Sequence, residues 1–184
     1  MYFFQDQVVV EIVTCKQQRP IRSKSLANLE RRICDQLSLL LLNAQEDNKA
    51  TRSVCLDMHG VADLFETTDI LGKSTDLVWI LSFIGKNSER REALRKELEA
   101  RIEAKQIQFG IMVFVRGSTP CVGTKAWILK LITRVSPLPL LFLDDGQDHI
   151  HAAEKLNIAR LTCKYIQNKT EILPCITQMP KKIL

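Results

Sequence analysis

Apolar positions along the chain fall into two spacings. QVVVEIVT (7–14), SVCL (53–56), DLVWIL (76–81), GIMVFV (110–115) and PLLFL (139–143) are short apolar runs bounded by polar residues. Runs of this length, without polar–apolar alternation, predict strands buried on both faces of a sheet. Between them the spacing changes. In SLANLERRICDQLSLLLLNA, residues Leu26, Leu29, Ile33, Leu37, Leu40 and Leu41 recur at helical intervals behind Ser25, which predicts an amphipathic helix. A polar loop is expected over 45–51. Ser88 to Lys105 predicts a helix with Leu94, Leu98 and Ile102 on one stripe and paired charges on a solvated face. KAWILKLIT (125–133) and HIHAAEKL predict two more helices, the second with Asp148 as its N-cap. IARLTC (158–163) reads as a fifth core strand.

Strands alternating with helices predict an α/β fold around a parallel sheet. In such sheets ligands collect beyond the carboxyl ends of the strands. Asp57, Ser82 and Asp144 each follow an apolar strand directly, and Asp145 follows Asp144. Parallel strands would put them all on one edge. Carboxylates gathered there repel one another. A hard divalent cation relieves this, and oxygen ligands with some waters suit Mg²⁺. Either Asp group alone reads more plainly as a turn or cap; both at equivalent strand ends favour a metal.

Composition adds bounds. The 184 residues suit one domain, with 1–50 as an appended strand and helix and 51–184 as the core. The net charge of +5 permits an anionic partner without demanding one. Its densest part is 16–32, with Lys16, Arg19, Arg22, Lys24, Arg31 and Arg32 against Glu30; this supports nucleic-acid contact only weakly. Six cysteines contain no CxxC pair, which argues against structural zinc and for buried thiols in a reducing compartment. No secretory leader and no membrane-length apolar run is visible. The expected setting is cytoplasmic, without a membrane.

The four strand-end segments, taken in order, resemble the haloacid dehalogenase-like (HAD) hydrolases. VCLDMHGVADLF resembles their first motif and WILS the second. Lys125 in GTKAW sits where the third-motif lysine precedes the last core strand, and LLFLDDGQDHIHAAEKLNI is similar to the fourth motif. The resemblance covers about residues 52–160. It implies a doubly wound parallel sheet, a Rossmannoid three-layer sandwich, and a magnesium-dependent phosphohydrolase. Asp57 would be the nucleophile that forms an aspartyl-phosphate. Asp57, Asp144 and the main-chain carbonyl of His59 would hold Mg²⁺, with Asp145 or Asp148 completing or orienting the shell. Ser82 and Lys125 would hold the phosphoryl oxygens.

The family's second Asp, two positions after the nucleophile, is His59 here. Two readings therefore stay open. In one, His59 does the acid–base work. In the other, the HAD fold no longer turns over and serves as a binding or interaction module. A receiver-like phosphoacceptor domain shares the acids and a lysine, but Ser82 and the Asp-x-x-Gly-Val turn match a hydrolase better. Only 24 residues lie between Asp57 and Ser82, and 42 between Ser82 and Lys125. These gaps leave no room for a large cap domain. The resemblance thus implies an open site for a phosphorylated substrate, a macromolecule included. His149 and His151 read as surface or supporting residues. The 1–50 segment can act as a lid or, more simply, as an extra strand and helix covering the sheet.

Overall fold

The computed structural model describes residues 8–13, 20–21, 25–48, 52–62, 77–84, 88–104, 109–115 and 123–178. Strands β1 (Val8–Val13) and β2 (Pro20–Ile21) precede helix α1 (Leu26–Asn48). Strand β3 (Ser53–Asp57) leads into a π-helical turn over Met58–Ala62, then β4 (Leu77–Ile84) and helix α2 (Ser88–Glu103). Strand β5 (Phe109–Val115), helix α3 (Gly123–Val135), strand β6 (Leu140–Asp144) and helix α4 (Gln147–Glu154) follow. Strand β7 (Leu161–Tyr165), a 3₁₀ turn at Lys169–Glu171 and the short helix α5 (Ile172–Thr177) complete the described chain.

The strands form one sheet in the order β2-β1-β5-β4-β3-β6-β7. The five from β5 to β7 in that order are parallel, as the buried apolar runs predict. β1 pairs antiparallel with β5, from Val8↔Val115 to Val13↔Gly110. A short, mostly apolar run such as VVVEIV reads the same in either direction, so direction was not legible there. β2 has only two residues and no periodic signal of its own.

Helices cover both faces. Alternate strand residues Cys55, Trp79, Leu81 and Phe142 join a core cluster with Leu29, Ile33, Leu37 and Leu41 of α1 and with α3 and α4. The opposite set, Val54, Leu56, Ile80 and Leu143, packs against Leu94, Leu98 and Ile102 of α2 and against α5. The period-two alternation of the strands and the 3.6 period of the helices meet at these two interfaces. Along α2, Arg95 pairs with Glu92 and with Glu99, 3.3 Å away, and Arg101 pairs with Glu97 at 3.2 Å.

Several boundaries differ from expectation. α1 runs on to Asn48, through residues expected to be loop; Gln45 to Asn48 are tolerable in a helix once the apolar stripe before them is docked. Ser25 opens it as expected, its Oγ accepting the Asn28 N–H at 3.4 Å. The N-cap of α4 is Gly146, and Asp148 lies within the first helical turn. β7 begins three residues later than expected. The chain first turns at Asn157, at φ 50°, a left-handed conformation asparagine tolerates, and Leu161 N–H then donates to the Ile158 carbonyl.

Cys34, Cys55, Cys163 and Cys175 are free thiols, while Cys15 and Cys121 lie outside the described residues. So do Lys16, Arg19, Arg22 and Lys24 of the basic stretch, Lys105, and residues 63–76, 85–87 and 116–122, where any cap insertion would fall. No helix among the described residues is long and apolar enough to cross a membrane.

Candidate metal centre

β3 and β6 are adjacent parallel strands in register from Ser53↔Leu140 to Leu56↔Leu143. Each ends one residue later in an aspartate. Every residue of both strands is buried, so packing of the apolar run carries Asp57 and Asp144 to matching positions under the surface. Asp57 keeps 7% of its surface exposed and Asp144 only 1%. On the other side of β3, Leu81 pairs with Asp57, which sets Ser82 one step beyond it at the same sheet edge.

Lys125 enters from α3. It is buried, and its Nζ donates to Asp57 Oδ1 at 2.5 Å and to Asp144 Oδ2 at 2.6 Å. The other oxygen of Asp144, Oδ1, accepts the Gly146 N–H at 2.7 Å. Asp145, though exposed, closes the cluster. Ligand oxygens of Asp57, Asp144 and Asp145 all lie within 4.8 Å of one another.

The electrostatics follow from this crowding. Burial pushes the Asp57 carboxyl above its ordinary range; Lys125 pulls it back, and Asp144 pushes it up again. Burial alone would lower the Lys125 pKa, but the two facing carboxylates outweigh burial and hold it above its ordinary value. The ammonium is therefore a fixed cation, and one ammonium does not balance three carboxylates. The buried Cys55 thiol on β3 is pushed far up by burial, and burial raises Cys163 to about 12, so neither supplies a thiolate at neutral pH.

The donor set suits a hard cation. Oxygens on opposite sides of an Mg²⁺ stand about 4.2 Å apart. The three ligand oxygens here lie within 4.8 Å of one another, which is the same scale. A second observation concerns Ser82. It is 1% exposed and its Oγ has no hydrogen-bond partner. Buried hydroxyls are rarely left unmatched, which singles this one out among the side chains of the sheet edge.

The expected residues are thus partly gathered. Asp57, Asp144, Asp145 and Lys125 meet, and Ser82 lies at the same edge. The His59 side chain is not among the ligand groups that converge. It is exposed on the π-helical turn and makes no hydrogen bond to the cluster. Asp148 is exposed too. It lines a groove of about 500 Å³ between α3 and α4, together with Gly123, Ala126, His151, Ala152, Lys155 and Leu156. Its carboxylate is not among the three that converge. The reason is the helical turn: Asp144 takes the Gly146 N–H, α4 starts at once, and position 148 is rotated onto the α3 side.

No protein-family model, curated protein or solved structure matches this chain.

Gly146 is the residue that sequence reasoning missed. A Cβ there would come within 2.7 Å of the His149 ring and 2.9 Å of Asp144 Oδ1. Only glycine lets the chain pass between the carboxylate and the imidazole. The signal was available in the Asp-Asp-Gly string, a common turn composition.

Proposed function

We propose that this chain is a Mg²⁺-dependent phosphohydrolase of the HAD type, built on a doubly wound sheet without a large cap domain, and that it works through an aspartyl-phosphate on Asp57. The observation that carries the reading is the Lys125 ammonium held between Asp57 and Asp144 at the strand ends. Asp57, Asp144 and Asp145 would hold the metal, with the His59 carbonyl as a further oxygen. Bound there, Mg²⁺ would neutralise charge on the phosphoryl oxygens.

The chain's own residues then do the following. Lys125 neutralises the carboxylate pair and orients the Asp57 oxygen. Ser82 donates its unmatched O–H to a phosphoryl oxygen. An Asp57 oxygen attacks phosphorus, and the bond to the leaving oxygen breaks as that oxygen takes up a proton. Water then attacks the phosphorus of the aspartyl-phosphate, losing a proton, and the Asp57 carboxylate departs. His59, at the position two after the nucleophile, is the candidate to give the first proton and take the second.

Hydrolysis of a generic aryl phosphate tests the reading. Native protein with Mg²⁺ is expected to be active, while Asp57→Asn and native protein with chelator are inactive. Equal rates for native and Asp57→Asn would remove Asp57 as the nucleophile.

The exposed imidazole at position 59 favours a second reading, a HAD-fold protein that binds without turnover. Replacing one positioned acid–base group costs about 10²–10⁴-fold in rate. If His59→Asp raises activity from near zero, the native protein is a binding module. If it lowers activity, His59 is a working acid–base.

A further inference from the structure

The groove between α3 and α4 lies outside the carboxylate cluster and has its own chemistry. Asp148, His151 and Lys155 line it from one side, spaced three and four apart along α4 and its C-cap, so they share a face. All three are exposed, and none of their side chains takes a hydrogen bond or ion pair among the described residues. The floor is apolar. Ala126 of α3 is buried, and Ala152 and Leu156 are packed, half-buried, against the core. The short side chains at 126 and 152 leave space between the helices that larger ones would fill. The resulting volume, about 500 Å³, is that of a pocket for a small organic ligand.

The charges narrow what fits. Asp148 and Lys155 mark the two ends, seven positions apart, which is about 10 Å along a helix. Asp148 also follows Asp145 by three residues, so the acidic end of the groove starts within about 11 Å of the cluster. A nucleic-acid strand would bring phosphates against Asp148 and towards those acids, with a single lysine to compensate. A simple cation or anion would leave one end unmatched. A ligand that satisfies both ends carries a cation and an anion about 10 Å apart, joined by an apolar stretch. A peptide in the polyproline conformation has this form. Three residues make one turn, so side chains at i and i+3 share a face about 9 Å apart.

We propose that the α3–α4 groove is a docking site for an extended peptide segment with a basic residue three positions from an acidic one, the basic side chain against Asp148 and the acidic one against Lys155. Such docking needs neither the metal nor the phosphoryl chemistry.

The test titrates acetyl-Lys-Pro-Pro-Glu-amide into the protein in the presence of chelator, with binding read by calorimetry. The like-charged peptides acetyl-Lys-Pro-Pro-Lys-amide and acetyl-Glu-Pro-Pro-Glu-amide are run beside it. Native protein is expected to prefer the mixed-charge peptide by about fivefold, with the preference shrinking at high salt. Lys155→Glu is expected to reverse the order, so that the doubly basic peptide binds best. Ala152→Phe is expected to fill the groove and abolish binding of all three. Thermal melting shows whether each variant is folded. If Ala152→Phe does not fold, the reversal in Lys155→Glu decides alone, since position 155 is exposed. Native protein that binds no mixed-charge peptide at millimolar concentration, or binds all three alike, overturns the inference. So does an unchanged order in Lys155→Glu, or unchanged binding in folded Ala152→Phe. An Asp57 site without phosphatase activity leaves each of these outcomes as it stands.

Discussion

Lys125 sits between two buried carboxylates that would otherwise repel each other. Its two charge-assisted hydrogen bonds, at 2.5 and 2.6 Å, make the two partners unequal in what their removal does. Lys125→Met leaves Asp57 and Asp144 without a cation, and a loss of about 3–5 kcal/mol is expected on urea unfolding. Asp57→Asn acts the other way. Burial raises the Asp57 pKa, so the native state holds that proton at pH values where the unfolded chain has released it. Stability therefore falls as pH rises from the ordinary carboxylate value through the raised one, and the loss is complete above it. In metal-free protein at neutral pH, Asp57→Asn is expected to be more stable than native by roughly 0.5–2 kcal/mol. The advantage should fade as pH drops below the ordinary carboxylate value, which unfolding curves at two pH values would show. At this scale the acids were legible where the side chain closes a strand, as for Asp57 and Asp144; Ser82, expected just past a strand, lies inside β4, which stays paired with β5 as far as Ile84. The place of Asp148 was not legible, because an aspartate's fitness as a cap says nothing of which neighbour starts the helix. Gly146 does so here, its N–H held by Asp144.

The leucine run of α1 shows what an element adds to its residues. The unbroken apolar stretch of residues 39–42 does not by itself say which of its leucines face the core. In the fold the run divides: Leu37 is 0% exposed and Leu41 3%, while Leu39 and Leu42 are 50% and 62% exposed. Leu37→Ala is expected to cost about 2–5 kcal/mol, the range for emptying a packed site. Leu39→Ala should stay within about 0.5 kcal/mol of native. Chemical denaturation of the two variants separates them, and similar losses would mean α1 is docked on a different face. α1 is also tied to α3 by the Trp127 Nε1–H, which donates to Glu30 Oε1 at 2.6 Å. Arg160 fastens the far end of α3 by donating to the Thr133 and Ser136 carbonyls at 2.8 and 3.0 Å. No periodicity announces such ties, since each depends on how two distant elements come to lie. Periodicity did locate α1 to α4 and the buried strands, because burial on one face or two is what it records, but it gave no sign of the six-residue α5.

For the whole molecule the decisive feature is strand order. From β3 the chain steps outward through β4 to β5, then returns to the other side of β3 for β6 and β7. The carboxyl ends of β3 and β6 flank the point of reversal, where parallel sheets open a crevice. The cluster thus spans both halves of the sheet, and a cation bound there would join them. Mg²⁺ at about 100 times its Kd is expected to add about 2.7 kcal/mol of stability. Chelator should remove the gain, and Asp144→Asn should abolish it; a melting temperature indifferent to Mg²⁺ would count against the metal. The same order has a consequence for how the protein is made. β1 emerges early in synthesis, yet its main partner, from Gly110 to Val115, is translated about a hundred residues later. Until then, among the described strands, the two-residue β2 is its one partner. Strand β1 must therefore wait with its backbone largely unmatched until a strand far along the chain arrives to pair with it.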